Sequence, residues 1–193
     1  SATGAGTGDH VEFLMTHGSV IGPYFRTSGA GVRDVNRLTS SSGLMTRSNV
    51  SSKCPAAGFG CGGPLGRECH CEGEIYGQAG WDLAQNLVAK HGYHTGWLTY
   101  ERIFFASLPQ SGPYLPNQAN SIYDAYLAVD DDDGNLSNGT PNAKQIYDAF
   151  NLHEIAGTQR ATTAGCSRPA QPVATVTPGC NGVTLSWPAV SGA

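Results

Sequence analysis

Three stretches of the chain carry residues whose type and spacing could do chemistry. Arg67-Glu68-Cys69-His70-Cys71-Glu72-Gly73-Glu74-Ile75 sets a histidine just before a strongly helical run. Ala5-Gly6-Thr7-Gly8-Asp9 ends a glycine-rich opening on one carboxylate, and Val129-Asp130-Asp131-Asp132-Asp133-Gly134-Asn135 packs four carboxylates side by side. A histidine at a helix start can donate a hydrogen bond to an oxyanion, which is one requirement of peptide-bond hydrolysis; a zinc ion that activates water is another. The usual zinc carrier is His-Glu-x-x-His on a helix, where a spacing of four puts both imidazoles on one face. This chain has none. His153-Glu154-Ile155-Ala156-Gly157 begins correctly but ends in glycine, and His91-Gly92-Tyr93-His94 straddles a helix breaker, so both pairs read as surface or capping residues.

In the acidic stretch, Asp131, Asp133 and Asn135 have the alternate spacing by which a loop turns oxygens toward Ca²⁺, with Asp130 heading the run. Like charges this close repel unless they are solvated or bridged by a cation, so a structural calcium site and a solvated loop both stand as readings. Six cysteines (Cys54, Cys61, Cys69, Cys71, Cys166, Cys180) form an even set. Their spacing lacks the paired Cys-x2-4-Cys turns of structural zinc, which favours disulfides and an oxidising, extracellular location. Asn49-Val50-Ser51, Asn135-Leu136-Ser137 and Asn138-Gly139-Thr140 match the glycosylation pattern, a short signal that carries little weight.

The elements that must position these groups are mainly helical. Asp9 to Thr16 reads as a short helix. Residues 22–66 are rich in Gly, Ser, Pro and Asn and read as a long surface excursion pinned by cystines. Glu72 to Lys90 repeats Ile75, Ala79, Leu83 and Leu87 every fourth residue, which predicts a long helix with one buried face. Further helices are expected from Trp97 to Leu108, from Asn117 to Val129, and after Thr140 as cap with Pro141 in the first position. Beyond Gly157 the composition turns to Thr, Ala, Pro and Gly, with two β-rich runs, 174–177 and 182–187, around a turn.

The order of these landmarks resembles the carboxy-terminal lobe of the gluzincins, the thermolysin-like and fungalysin-like zinc metallopeptidases. In those families a helix carries Glu as third zinc ligand and, four residues later, an Asp that orients a zinc-bound histidine. Asp9 stands at the second position, and Ala5 stands where the ligand belongs. His70 matches the family's oxyanion-donating histidine, although the aspartate that usually precedes it is lacking and Glu68 is the nearest carboxylate. The resemblance continues through Glu101-Arg102-Ile103-Phe104-Phe105, Ser121-Ile122-Tyr123-Asp124-Ala125 and Ile146-Tyr147-Asp148-Ala149-Phe150-Asn151, so it covers residues 1–157. Residues 158–170 read as a linker. In 171–193, Val183-Thr184-Leu185-Ser186-Trp187-Pro188-Ala189-Val190 resembles the opening strands of a fibronectin type III module, cut short.

The resemblance implies a lobe of a secreted zinc metalloendopeptidase acting on polypeptides. Its zinc histidines and general-base glutamate would come from a missing N-terminal lobe, and the chain by itself is expected to be inactive. The alternative is a noncatalytic extracellular binding or assembly module on a decayed peptidase scaffold, which Ala5 favours. Bulk properties fit either reading: 193 residues with a formal charge of −4 leave no basic footprint for nucleic acid, and no apolar run is long enough to span a membrane. The amino terminus has no signal-peptide pattern, so export with the signal removed is the expectation.

Overall fold

A computed structural model describes residues 1–25, 31–58, 60–110, 112–116, 121–163, 175–179 and 182–186. The fold is mainly α. In chain order the elements are α1 (Ala2–Thr16), β1 (Val20–Ile21), β2 (Arg33–Asp34), α2 (Val50–Lys53), α3 (Cys69–His91), α4 (Tyr93–Ser107), α5 (Ile122–Asp130), α6 (Ala143–Leu152), β3 (Thr175–Gly179) and β4 (Gly182–Ser186). α1, α4 and α6 all pack on α3, and α5 lies against α4 and α6.

The axis of the fold is α3, and its surroundings correct the expectation of a single buried face. Every residue from Glu72 to Trp81 is buried, because the helix is covered on more than one side. α1 can approach it closely only because small residues line the seam. A Cβ on Gly73 would lie 2.6 Å from the Ala2 carbonyl oxygen, one on Gly77 would lie 2.6 Å from Asp9 Oδ2, and one on Gly80 would strike the His10 ring. α1 is itself about two turns longer than its apolar residues predict. Ser1 caps it by accepting from Gly4 N, and packing on α3 holds the glycine-rich first half helical despite its poor propensity.

α3 begins at Cys69 rather than Glu72. Glu68 is its N-cap, its side chain accepting from the backbone N–H groups of His70 and Cys71. Glu72 is fully buried within the first turn and accepts from Leu65 N, Arg67 N and the Tyr114 hydroxyl. It thereby ties the preceding loop to the helix. Gly92, at φ 82°, lets the chain reverse directly into α4, which starts at Tyr93 rather than Trp97.

The excursion from 22 to 66 is less superficial than its composition suggests. Val35, Met45 and Val50 are buried in the common core, and β1 and β2 pair antiparallel through Val20–Asp34 and Ile21–Arg33. Two cystines, Cys54–Cys71 and Cys61–Cys69, tie its end to the first turn of α3. Cys166 and Cys180 lie outside the described residues.

Within the described residues the third predicted helix begins at Ile122, with Ser121 as cap. α6 begins at Ala143, and the Asp130 carboxylate, rather than Thr140 alone, organises its approach. Residues 158–163 return alongside this turn, Thr163 N donating to the Thr140 carbonyl and Tyr123 Oη donating to the Thr158 carbonyl. β3 and β4 form an antiparallel hairpin from Thr175–Ser186 to Gly179–Gly182; Trp187 lies outside the described residues. Among the described residues no helix is long and apolar enough to cross a membrane.

Candidate functional site

Asp9 and His70 sit at one edge of the molecule, where α1 crosses the first turns of α3. The residue that joins them is Arg33, from β2. Its Nε and Nη2 donate to Asp9 Oδ1 at 3.0 and 2.9 Å, and its Nη1 donates to the His70 carbonyl oxygen at 2.7 Å. One planar guanidinium thus fixes a carboxylate on α1 relative to the histidine on α3.

Asp9 is 1 % exposed, yet its other oxygen, Oδ2, has no hydrogen-bond partner. A buried, unpaired carboxylate oxygen costs free energy, since the water it has lost is not replaced. Burial accordingly pushes its pKa up from 3.8 to about 7, against the pull of Arg33 and with a smaller upward push from Glu74. Glu74, one turn into α3, is also buried, and burial raises its pKa although Ser42, Arg33, Ser40 and Gln78 all oppose. Ser40 Oγ and Ser42 Oγ each donate to it at 3.3 Å.

His70 is the exposed member, its side chain 66 % accessible. Its Nδ1 lies 2.6 Å from Glu68 Oε1, so the cap residue of α3 supplies the carboxylate partner that the preceding sequence lacks as an aspartate. For Glu68, slight burial is the largest single influence and raises the pKa, but donors from Cys71 N and His70 together hold it below the usual value. The Nδ1 contact leaves Nε2 as the ring atom free to face outward. Beside it opens a cleft of about 280 Å³ walled by Gly58, Gly60, Cys61 and Glu68, so the cystine loop forms one side of the histidine's surroundings.

These residues do not by themselves fit a zinc ion. Ala5, one turn before Asp9, has no donor atom. Glu68, Cys69 and His70 bring their side-chain ligand atoms within 4.8 Å of one another, but the Cys69 sulfur is held in a cystine and only two ligands remain. His153 does not join the edge either. It is fully buried at the end of α6, with Nδ1 2.6 Å from the Met45 carbonyl oxygen and Nε2 3.1 Å from Asp82, so it is a capping residue of the core and not a surface one. His91 meets Asn142 at 2.7 Å, and His94 is exposed in the first turn of α4.

The acidic loop divides in two. Asp130 faces inward: Oδ2 accepts from Thr140 Oγ1 and Asn142 N, and Oδ1 accepts from Asn142 Nδ2. Asp132 and Asp133 are exposed and Asp131 is half-buried, its Oδ1 buried without a hydrogen-bond partner among the described residues, and the three bring ligand atoms within 4.8 Å of one another. Asp133 also accepts from Asn135 N and Asn138 Nδ2, while Asn135 Oδ1 accepts from Ser137 N and Oγ, turns that shape the loop around the cluster.

Sequence reasoning missed Arg33. Arg33 carries no local signal, sitting among Asp34 and Arg37, and only the fold shows that it reaches Asp9, 24 positions away. It also missed that Glu68 pairs with His70, for which the N-cap position two residues earlier was the available clue. Set against known protein families, curated proteins and solved structures, the chain finds no match.

Proposed function

We propose that this chain is the helical lobe of a secreted zinc metalloendopeptidase, silent in polypeptide hydrolysis by itself. The observation that carries the reading is the Arg33 bridge: Asp9 and His70, chosen from sequence as parts of one active site, are tied to a single side chain. Asp9 Oδ2, the oxygen left over, faces Gly77 inside the α1–α3 seam, and the reading requires that it be uncovered before the N–H of a zinc-bound imidazole could reach it. His70, with Nδ1 engaged by Glu68, would in its doubly protonated form donate from Nε2 to the oxyanion of a cleaved peptide. The two zinc histidines and the general base have no counterpart in this sequence, and the reading assigns them to another segment. Two cystines, and the lack of a membrane-crossing helix among the described residues, are compatible with an extracellular setting. A structural calcium at Asp131, Asp132 and Asp133, closed by Asn135, belongs to the same proposal, with Asp130 anchoring the loop from inside. The 182–186 strand is read as the start of a fibronectin type III-like appendage.

Ala5 favours a second reading, a noncatalytic binding or assembly module that kept the scaffold after losing its metal site. The encoding gene separates the two. A His-Glu-x-x-His segment encoded immediately upstream of Ser1 is the expected finding; an upstream region without it would sink peptidase descent in favour of the module.

A further inference from the structure

Between α3 and α6 lies a cavity of about 460 Å³, closed at one end by the 36–38 loop. That volume is within the roughly 300–1,000 Å³ of small-ligand sites. Arg37 sets its chemistry. The guanidinium donates Nε to Asp82 Oδ2 at 3.0 Å, and among the described residues neither Nη1 nor Nη2 has a partner. Across that end a guanidinium presents two parallel donors, the geometry that a carboxylate fills with both of its oxygens.

Asp82 does not use up the charge of Arg37. His153 places Nδ1 2.6 Å from the Met45 carbonyl oxygen and Nε2 3.1 Å from Asp82 Oδ2, and both of those oxygens accept only. Both ring nitrogens therefore donate, which makes the ring an imidazolium with Asp82 as its counter-ion. Asp148, at the rim, is matched by Lys144. One positive charge is left over, on an Arg37 side chain that is 32 % exposed and so reaches the groove's solvent. Neutral donors line the same cavity. The Gln85 amide has no partner among the described residues, and Asn36, whose Oδ1 accepts from Leu38 N, keeps Nδ2 open.

The rest of the wall is aliphatic. Leu38 is 76 % exposed and Leu152 36 %, with Ala149 on the same helix as Leu152. Trp81 offers no ring face, because it is buried against Phe13 and Trp97 with centroids 5.7 and 6.1 Å away. Inorganic phosphate would satisfy the guanidinium and leave both leucines in water. A neutral apolar molecule would cover the leucines but take the Nη groups out of water with no acceptor in exchange. A carboxylate carried on a short branched hydrocarbon meets both needs.

We infer that the groove between α3 and α6 binds an aliphatic carboxylate, with its oxygens on Arg37 Nη1 and Nη2 and its hydrocarbon against Leu38 and Leu152. A free branched-chain acid and the C-terminal residue of a peptide ending in leucine share this chemistry. None of these residues belongs to the Asp9–Arg33–His70 edge, so the inference does not depend on the peptidase reading. Its test is an NMR titration of the whole chain that reads the Arg37 Nε–H and the methyl groups of Leu38 and Leu152. The probes are 4-methylpentanoate for the free acid and acetyl-Ala-Leu for the peptide terminus, with acetate, sodium phosphate and acetyl-Ala-Leu-amide as counter-probes. The expected result is a saturable shift of all three signals with at least one probe, the tighter of the two naming the source, and at least tenfold weaker binding of every counter-probe. Arg37→Gln should weaken the probe at least tenfold and Leu38→Ser at least threefold. Leu38 is mostly in solvent, so Leu38→Ser should keep the wild-type melting temperature even if loss of the Arg37–Asp82 pair lowers that of Arg37→Gln. No saturable shift with either probe would overturn the inference. So would a counter-probe that binds as tightly as the probes, or probe binding that both variants leave unchanged.

Discussion

Asp130 and Asp9 are each 1 % exposed, yet the two regions treat the buried carboxylate in opposite ways. Between α5 and α6, both oxygens of Asp130 are filled by three donors from Thr140 and Asn142, with the Arg102 guanidinium 4.0 Å away. At the α1–α3 seam, Asp9 has one oxygen held by Arg33 and the other held by nothing. A carboxylate whose purpose is structural is best fully satisfied, because each missing donor is a loss. One that keeps a bare oxygen indoors lowers the stability of its own fold, and such a cost is most often met at sites of function.

The sharpest way to break this contrast is to remove the satisfied carboxylate. Asp130→Ala strands the Thr140 hydroxyl and both Asn142 donors, and should cost about 3–5 kcal/mol in chemical denaturation. A loss under about 1 kcal/mol would mean the network is not what holds α6 to α5.

The next effect is smaller and has the opposite sign at neutral pH. The folded pKa of Asp9 is about 7 against 3.8 unfolded, so the penalty for its burial is absent below 3.8, grows as pH rises, and is complete above 7. Asp9→Asn should therefore match or trail the wild type at pH 4 and exceed it at pH 8, a swing of about 2–3 kcal/mol. Comparison with the variant is needed because His10 pulls the other way. Burial lowers its pKa to about 3, so its share of stability is lost as pH falls from 6.5. A pH-independent difference between Asp9→Asn and wild type would remove the distinction between the two carboxylates.

Gly77→Ala probes the space over the open oxygen. The new methyl would sit 2.6 Å from Asp9 Oδ2 and should cost about 1–3 kcal/mol, relieved in the Asp9→Ala background. Additivity of the two substitutions would show that the seam is not tight there. Calcium sharpens the other side of the comparison: millimolar CaCl₂ should raise the melting point in proportion to about 1–2 kcal/mol, and Asp131→Asn with Asp133→Asn should abolish the rise. The smallest effect belongs to His70→Ala, within about 0.5 kcal/mol of wild type by denaturation, since the ring is mostly in solvent. A larger loss would make His70 a structural residue.

The helices that carry apolar repeats, α3 to α6, were legible in the sequence, and so were the break at Gly92 and the preference for disulfides. The first half of α1 was not, because Gly4, Gly6 and Gly8 read as poor helix formers, while packing on α3 requires a glycine at Gly6, where a Cβ would lie 2.8 Å from the Gly73 carbonyl oxygen. For the same reason the all-round burial of α3 was hidden. Gly73, Gly77, Glu74 and Gln78 look like a solvated face until α1 and the 40–45 loop are laid over them. Asp9 and His70 could be picked out from the order of landmarks, whereas the Arg33 link between them is a tertiary contact with no local pattern. Asp130 was grouped with its neighbours because four adjacent carboxylates look alike in sequence. Only the fold turns Asp130 inward toward Asn142, twelve positions on, leaves Asp131 half-buried, and exposes Asp132 and Asp133.

The most direct test of the account is metal content by elemental mass spectrometry on chain purified without chelator, with a casein-cleavage assay on the same sample. An Asp9–Arg33–His70 edge that lacks its ligands predicts no zinc and no cleavage, with calcium as the only metal retained. About one zinc per chain together with cleavage would contradict it, and would mean that residues of this chain other than Ala5 complete a working site.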